Sequence, residues 1–114
     1  MLANRQPDLP FTAQLDPAAM KSAAVEASAL LRALANESRL IILCQLSQGE
    51  CSVGQLQAEL PLSQSALSQH LARLRRDGLI EARRESRNIF YSLSPGPVET
   101  VLESLYNSFC ETPQ

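Results

Sequence analysis

The sequence predicts a mainly α protein with one small β-hairpin. Apolar residues recur at helical spacing in four segments before residue 77 and in one after residue 97, whereas residues 79–93 alternate apolar with polar residues around a short turn. With 114 residues, of which 45% are hydrophobic and 19% charged, the chain has the size and composition of one compact domain. The predicted element order is therefore α-α-α-α-β-β-α.

The predicted domain covers residues 17–111 and follows an N-terminal tail. Residues 1–16 contain two prolines and show no clear hydrophobic period, which is typical of a tail. Asp16 can cap a first helix that begins at Pro17, because proline is tolerated in the first helical turn. Alanine-rich sequence then continues this helix to about Ala35.

A second, more apolar helix begins after Asn36, which can serve as its N-cap, and ends near Gly49. Its apolar residues outnumber what one face would carry, which predicts a central, buried helix. Ser52 can then cap a short third helix, which Pro61 terminates. Another helix follows at once, so the two are predicted to be joined by a tight turn.

The fourth helix begins after Ser63 and ends at Asp77-Gly78, with leucines on one side and polar or basic residues on the other. Two helices joined in this way, the second polar and basic on its exposed face, are typical of a DNA-binding helix-turn-helix. The candidates for contacts with base edges and nearby phosphates are Gln64, Ser65, Ser68, Gln69 and His70, with Arg73 on phosphate. An ordinary solvated helix face is the alternative.

The β-hairpin that turns at Glu85-Ser86-Arg87 is the predicted wing, which makes the fold a winged helix-turn-helix. Six of the ten basic residues fall in one short stretch, although the net charge of the chain is −2: Arg73, Arg75, Arg76, Arg83, Arg84 and Arg87. The wing arginines Arg83, Arg84 and Arg87 are predicted to contact phosphate or the minor groove. Surface ion pairs with Glu81 and Glu85 are the alternative.

Pro97 begins a last helix whose apolar positions keep helical spacing as far as Phe109. A domain of this size has little core left for the apolar faces of both the first and the last helix, so we expect part of them to meet a second copy. The prediction is a homodimer that reads an inverted repeat in double-stranded DNA, with its two recognition helices about one DNA turn apart.

Other functional classes find little support in the sequence. No segment resembles a membrane span or a signal peptide, which predicts a cytoplasmic protein without a membrane partner. Three cysteines in such a chain favour reduced or reactive thiols over structural disulfides. A cysteine-dependent enzyme would need a base, yet the lone histidine lies on the predicted DNA face, so we predict neither catalysis nor a cofactor. A winged helix used only for protein contact is a third alternative.

Two segments, LRALANESRLIILCQL and SVGQLQAELPLSQSALSQHLARLRRDGLIEARRESRNIFYSL, closely resemble the ArsR/SmtB family of bacterial winged-helix repressors. The resemblance covers roughly residues 21–110, and its most specific element is LSQSALSQHLARLRRDGLI, which is similar to that family's recognition helix. It implies a dimer that sits on an operator and leaves it when an inducer binds or reacts.

The resemblance also indicates which inducer to expect. Metal-sensing members commonly carry Cys-Val-Cys on the third helix, where this chain has Ser52-Val53-Gly54. Other members bind zinc through Asp, His and Glu on the last helix, which here holds Glu99 and Glu103 but no histidine. No metal site is therefore predicted, and a metal- or arsenite-responsive repressor is kept as an alternative.

The remaining candidate sensors are Cys44 on the second helix and Cys110 at the end of the last. This pair resembles that of the persulfide-sensing branch, which implies that the two thiols react with sulfane sulfur and form a disulfide or polysulfide bridge within one protomer. Cys51 falls outside that pattern. The prediction is a DNA-binding repressor that releases its operator when reactive sulfur species oxidise Cys44 and Cys110, with a general redox or peroxide sensor as the alternative.

Overall fold

The computed structural model describes residues 16–110, which form five helices and a three-stranded antiparallel sheet. In chain order the elements are α1 (Pro17–Leu34), α2 (Glu37–Ser47), β1 (Cys51–Ser52), α3 (Val53–Glu59), α4 (Gln64–Arg76), β2 (Ile80–Glu85), β3 (Asn88–Leu93) and α5 (Pro97–Phe109). This architecture confirms the predicted winged helix-turn-helix. The predicted tail lies outside the described residues, except for Asp16.

The chain divides into two compact units between Arg32 and Ala33. The first contains most of α1, which begins as predicted: the Asp16 carboxylate accepts a hydrogen bond from the backbone N–H of Ala19 at 3.0 Å. Three larger apolar side chains of α1 are exposed, namely Met20, Val25 and Leu31. Exposed apolar side chains of this size are typical of surfaces that bind a partner, and the homodimer stays a prediction.

Short polar side chains cap the N-termini of α2 and α3. The Asn36 side chain accepts a hydrogen bond from the backbone N–H of Arg39 at 3.0 Å. Ser52 and Gln55 form a reciprocal capping box, in which each side chain accepts from the other residue's backbone N–H at 3.1 and 2.8 Å. These acceptors satisfy N–H groups that have no partner within the helix, so they determine where each helix starts.

Aliphatic side chains of α2, α3 and α4 form the core of the second unit. On α4 the buried leucines follow helical spacing and therefore lie on one face. The largest fully buried side chains are Ile42, Leu43, Leu56, Leu67 and Leu74. Along α2 the burial is one-sided, because Ile41 is 40% exposed although its neighbours are covered.

Replacing Leu43 with alanine is expected to lower the free energy of unfolding by about 2–5 kcal/mol, because the side chain is completely buried and would leave a cavity. Urea unfolding at a fixed protein concentration measures this change. Ile41→Ala, on the same helix, is the control and should cost less. Equal costs would contradict the expectation and would mean that Ile41 is covered in the assembled protein.

The wing, defined here as the β2–β3 hairpin, turns within the predicted segment, where Ser86 and Arg87 connect the two strands. Partners run from Ile80 opposite Leu93 to Glu85 opposite Asn88. Ser86 lies in the left-handed region at φ 56°, as a two-residue hairpin turn requires.

The sheet also contains a strand that sequence analysis did not predict. In β1, Cys51 pairs with Tyr91 and Ser52 with Phe90, which gives the strand order β1-β3-β2. Two residues are too few to show an alternating pattern, so only the pairing with β3 reveals this strand. Its effect is to join the wing to the segment that leads from α2 into α3.

Candidate DNA-binding surface and thiol cleft

Helix α4 presents a polar face opposite its buried leucines. The Ser63 hydroxyl oxygen accepts a hydrogen bond from the backbone N–H of Ala66 at 3.1 Å, which begins the helix at Gln64. The exposed residues that repeat at three- and four-residue spacing on the far side are Ser65, Gln69, Ala72 and Arg76. Short side chains between longer polar ones allow the helix backbone to approach base edges closely.

Four of the six predicted contact residues on α4 are exposed: Gln64, Ser65, Ser68 and Gln69. His70 is half-buried, and its pKa is lowered by burial and by the positive charge of Arg39 on α2. It is therefore uncharged at neutral pH and offers one donor and one acceptor rather than a cation. Arg73 is also half-buried and lies 3.5 Å from the Asp77 carboxylate.

Arg76 is absent from the predicted contacts, although it lies on the same exposed face as Ser65 and Gln69. The helical spacing that selects those two residues also selects Arg76 when it is followed to the last turn. A cation at this position can reach the phosphates that flank the groove.

The three wing arginines differ in their surroundings. The Arg83 guanidinium donates two hydrogen bonds to the Glu50 carboxylate, at 2.8 and 3.0 Å, and one to Glu85 at 3.2 Å. It also lies 4.9 Å from the centre of the Phe90 ring. Arg84 and Arg87 are exposed, and no hydrogen bond or ion pair reaches them from the described residues.

Glu50 is the partner of Arg83 that sequence analysis missed. Of the two carboxylates proposed as alternative partners, only Glu85 bonds to Arg83. The Arg83 hydrogen bonds lower the pKa of Glu50, which stays ionised at neutral pH. No local signal could have identified this pair, because 33 positions separate the two residues.

The two predicted sensor thiols line one cavity, called here the thiol cleft. Its volume is about 610 Å³, and residues of α2, the end of β3 and α5 surround it. Cys44 enters it from α2, and Cys110 enters from the end of α5. Both cysteines are free thiols, Cys110 exposed and Cys44 half-buried.

The pKa of Cys44 depends on Cys110, the other cysteine of the thiol cleft. Burial raises the pKa of the Cys44 thiol, and a negative charge on Cys110 raises it further. Cys51 is separate from this pair: it lies on β1, its Sγ is 3.5 Å from the Gly49 carbonyl oxygen, and it is not among the described cleft residues. Cys44 and Cys110 thus line one cavity and Cys51 does not, and their role as sensors stays a prediction.

Within residues 16–110, no three His, Cys, Asp or Glu side chains gather as a metal ion would require. In that same part of the chain, no helix has both the length and the hydropathy to cross a lipid bilayer.

Comparison with known proteins decides the family. Residues 36–82 match the family described as bacterial regulatory protein, arsR family. The chain is also 50% identical over 95 residues to the transcriptional activator HlyU of Vibrio cholerae, covering 83% of this chain and 88% of HlyU. This chain belongs to the ArsR family. It is thus a transcriptional regulator of a DNA-binding family.

Further similarities extend along most of this ArsR-family regulator. It is 45% identical over 92 residues to the biofilm growth-associated repressor of Agrobacterium fabrum, covering 81% of this chain and 79% of that protein. The structure of reduced HlyU from Vibrio cholerae matches with a TM-score of 0.78 and 51% identity, over 81% of this chain and 97% of that one. The structure of the repressor BigR from Xylella fastidiosa matches with a TM-score of 0.78 and 36% identity, over 86% of this chain and 100% of that one.

In this ArsR-family regulator, alkylation of Cys44 by iodoacetamide should be slow at neutral pH. The thiolate is the nucleophile, and the Cys44 pKa is raised in the folded protein, so its alkylation rate should still climb above about pH 8.5, the usual thiol pKa. Peptide mass spectrometry over a pH series measures the rate. Cys44 in the urea-unfolded protein is the control, and its rate should level off at lower pH. Coincident curves would exclude a raised pKa.

Proposed function

We propose that this regulator is a repressor that leaves its operator when reactive sulfur species bridge Cys44 and Cys110. The observation that carries this proposal is the thiol cleft, which both side chains line although they lie on different helices. Family membership supports the DNA-binding part, and the sensing part rests on the two thiols. Operator DNA places the site of action in the cytoplasm.

The proposed chemistry needs only thiols and a persulfide donor, R–S–SH. One cysteine thiolate attacks the outer sulfur of the donor, the donor S–S bond breaks, and RS⁻ leaves. The second thiolate then attacks the cysteine-bound sulfur of the new persulfide, which forms the disulfide and expels HS⁻. If both cysteines acquire a sulfur first, the terminal sulfur of one persulfide anion attacks the cysteine-bound sulfur of the other persulfide. This forms a trisulfide bridge and expels HS⁻. Protein sulfur is oxidised and donor sulfur is reduced to sulfide.

The setting of Cys44 differs from that of a typical peroxide-sensing cysteine. Peroxide-sensing cysteines are accessible thiols of low pKa, whereas Cys44 is half-buried and its pKa is raised. A direct disulfide requires Cα atoms within about 7 Å of each other, but a bridge with extra sulfur atoms spans a wider gap without backbone movement. A polysulfide bridge is therefore compatible with a cleft of about 610 Å³ between the helices.

Helix α5 links the thiol cleft to the proposed dimer interface. Its side chain Tyr106 lines the cleft and is 51% exposed, and Phe109, next to Cys110, is 81% exposed. On α1, Val25 is 67% exposed. We infer that a second copy covers these apolar side chains in a homodimer that binds an inverted-repeat operator. A bridge that moves the end of α5 would then change the spacing of the two recognition helices.

The direction of regulation differs among relatives, since HlyU is named an activator and the Agrobacterium fabrum protein a repressor. We assign repression to this chain on its resemblance to the operator-bound repressors of the family.

Fluorescence anisotropy on DNA from the protein's own promoter, combined with intact mass, tests the proposal. Glutathione persulfide should release the DNA and produce a species that has lost two hydrogens, with one added sulfur where the bridge is a trisulfide, and dithiothreitol should reverse both changes. Hydrogen peroxide, zinc and arsenite, added in parallel, should leave the DNA bound. Release by zinc or arsenite would support a metal- or arsenite-responsive repressor instead, and release by hydrogen peroxide would support a general redox sensor.

A further inference from the structure

The charged side chains among the described lining residues of the thiol cleft are all negative. Among its described lining residues are two carboxylates, Glu99 and Glu103, and no lysine, arginine or histidine. The two glutamates are four positions apart on α5, so they lie on one face of the helix. Cys110 is the C-cap of the same helix.

The wall opposite α5 does not neutralise this charge. The residues of α2 and its C-cap that line the cleft besides Cys44 are Gln45, Ser47 and Gln48, all uncharged. From β3 the cleft receives only the aliphatic side chain of Leu93. An electrophile that approaches Cys44 therefore meets two negative charges without a compensating cation among the described residues that line the cleft.

We infer that Glu99 and Glu103 select the sulfur donor by its charge, so that neutral and cationic sulfane-sulfur carriers react in the thiol cleft faster than anionic ones. This inference rests on the proposed function and names the class of inducer that its site accepts. The attacking thiolate is itself negative, so it also attracts a cationic carrier and repels an anionic one.

Both glutamates are exposed, so water and salt reduce the effect without removing it. At physiological ionic strength, charges within about 8 Å of each other still interact appreciably. Because both carboxylates line the same cleft as the reacting sulfur, we expect the rates of a monovalent cation and a monovalent anion to differ by about tenfold.

Methanethiosulfonate reagents of matched size test this selectivity directly. The cysteine thiolate attacks the reagent sulfur, and methanesulfinate leaves, so each reagent forms one disulfide without another reactant. The full-length reduced protein would be treated with the neutral methyl, the cationic trimethylammonium-ethyl and the anionic sulfonatoethyl reagent, and the labelling rates of Cys44, Cys110 and Cys51 followed by peptide mass spectrometry.

For Cys44 and Cys110, the cation-to-anion rate ratio should exceed that of the same cysteine in urea-unfolded protein by about tenfold. In the Glu99→Gln and Glu103→Gln double variant this excess should disappear. Cys51, which lies outside the cleft, serves as the internal control, and its ratio should be unchanged by the double substitution.

A native ratio equal to the unfolded ratio would overturn the inference, as would an excess that survives in the double variant. Failure of both cleft thiols to react with the neutral reagent would also overturn it, because the cleft would then admit no small electrophile. The labelling is done without DNA or sulfane sulfur, so charge selection and persulfide-induced release can fail independently. With the persulfides of cysteamine and 3-mercaptopropionate as donors, the cationic one should release DNA faster.

Discussion

Replacing Cys44 with serine is expected to abolish the release of DNA by persulfide donors while leaving the affinity of the untreated protein largely unchanged. Serine retains the size of the side chain but cannot form a sulfur–sulfur bond. Cys44 lies on α2 and is not among the residues predicted to contact DNA, so DNA contacts should survive. Since allosteric coupling is typically about 1–3 kcal/mol, wild-type affinity should fall about 5- to 150-fold on oxidation, and the variant should lose this shift. Fluorescence anisotropy measures both affinities.

Cys51→Ser is the matched control, because it makes the same substitution at a half-buried thiol outside the thiol cleft. It should release DNA as the wild type does. In Cys110→Ser, Cys44 can still accept a sulfur atom but cannot form the bridge. The variant should therefore gain the mass of one sulfur atom without releasing DNA. Normal release from Cys44→Ser would refute the proposed trigger.

Helix α2 offers a physical route from the thiol cleft to the DNA-binding surface. It packs against α5 on one side and against α4 and β3 on others. A bridge between Cys44 and Cys110 would tie α5 to the helix that supports the recognition helix and the wing. The coupling would then require no separate relay, because one rigid element contacts both surfaces.

The helices were predictable because their boundaries depend on local chemistry. Asn36, Ser52 and Ser63 are short polar residues placed before apolar helical patterns, and each accepts the hydrogen bond expected of an N-cap. The wing was predictable for a similar reason, since two alternating segments flank a two-residue turn. β1 was not predictable, because a two-residue strand exists only through its partner, β3.

The site was predictable only in part. Helical spacing identifies the exposed face of α4, and the family resemblance pairs Cys44 with Cys110. Which carboxylates accompany those thiols depends on how α5 packs against α2, and no spacing within one helix contains that information. The pairing of Glu50 with Arg83 likewise joins two segments that only the folded sheet brings together.

Removing Arg84 and Arg87 together should weaken the binding of any DNA sequence and flatten its salt dependence. Both side chains are exposed and unpaired within the described residues, so they can reach phosphate without breaking an existing interaction. Each phosphate contact contributes about 0.9 to the slope of log affinity against log salt, so two arginines on each protomer of a dimer should lower the slope by about 3–4. Titrations of operator and unrelated DNA at several salt concentrations measure this.

Arg83→Ala is the matched control on the same strand, and we expect it to change the salt slope much less. The Arg83 guanidinium already bonds to Glu50 and Glu85 and rests against Phe90, so a contact with phosphate would compete with those interactions. Its loss should instead loosen the connection between the wing and the segment that follows α2, because Glu50 would lose its only described partner. A slope change for Arg83→Ala half as large as that for the loss of both Arg84 and Arg87 would show that Arg83 exchanges its carboxylates for phosphate when DNA binds.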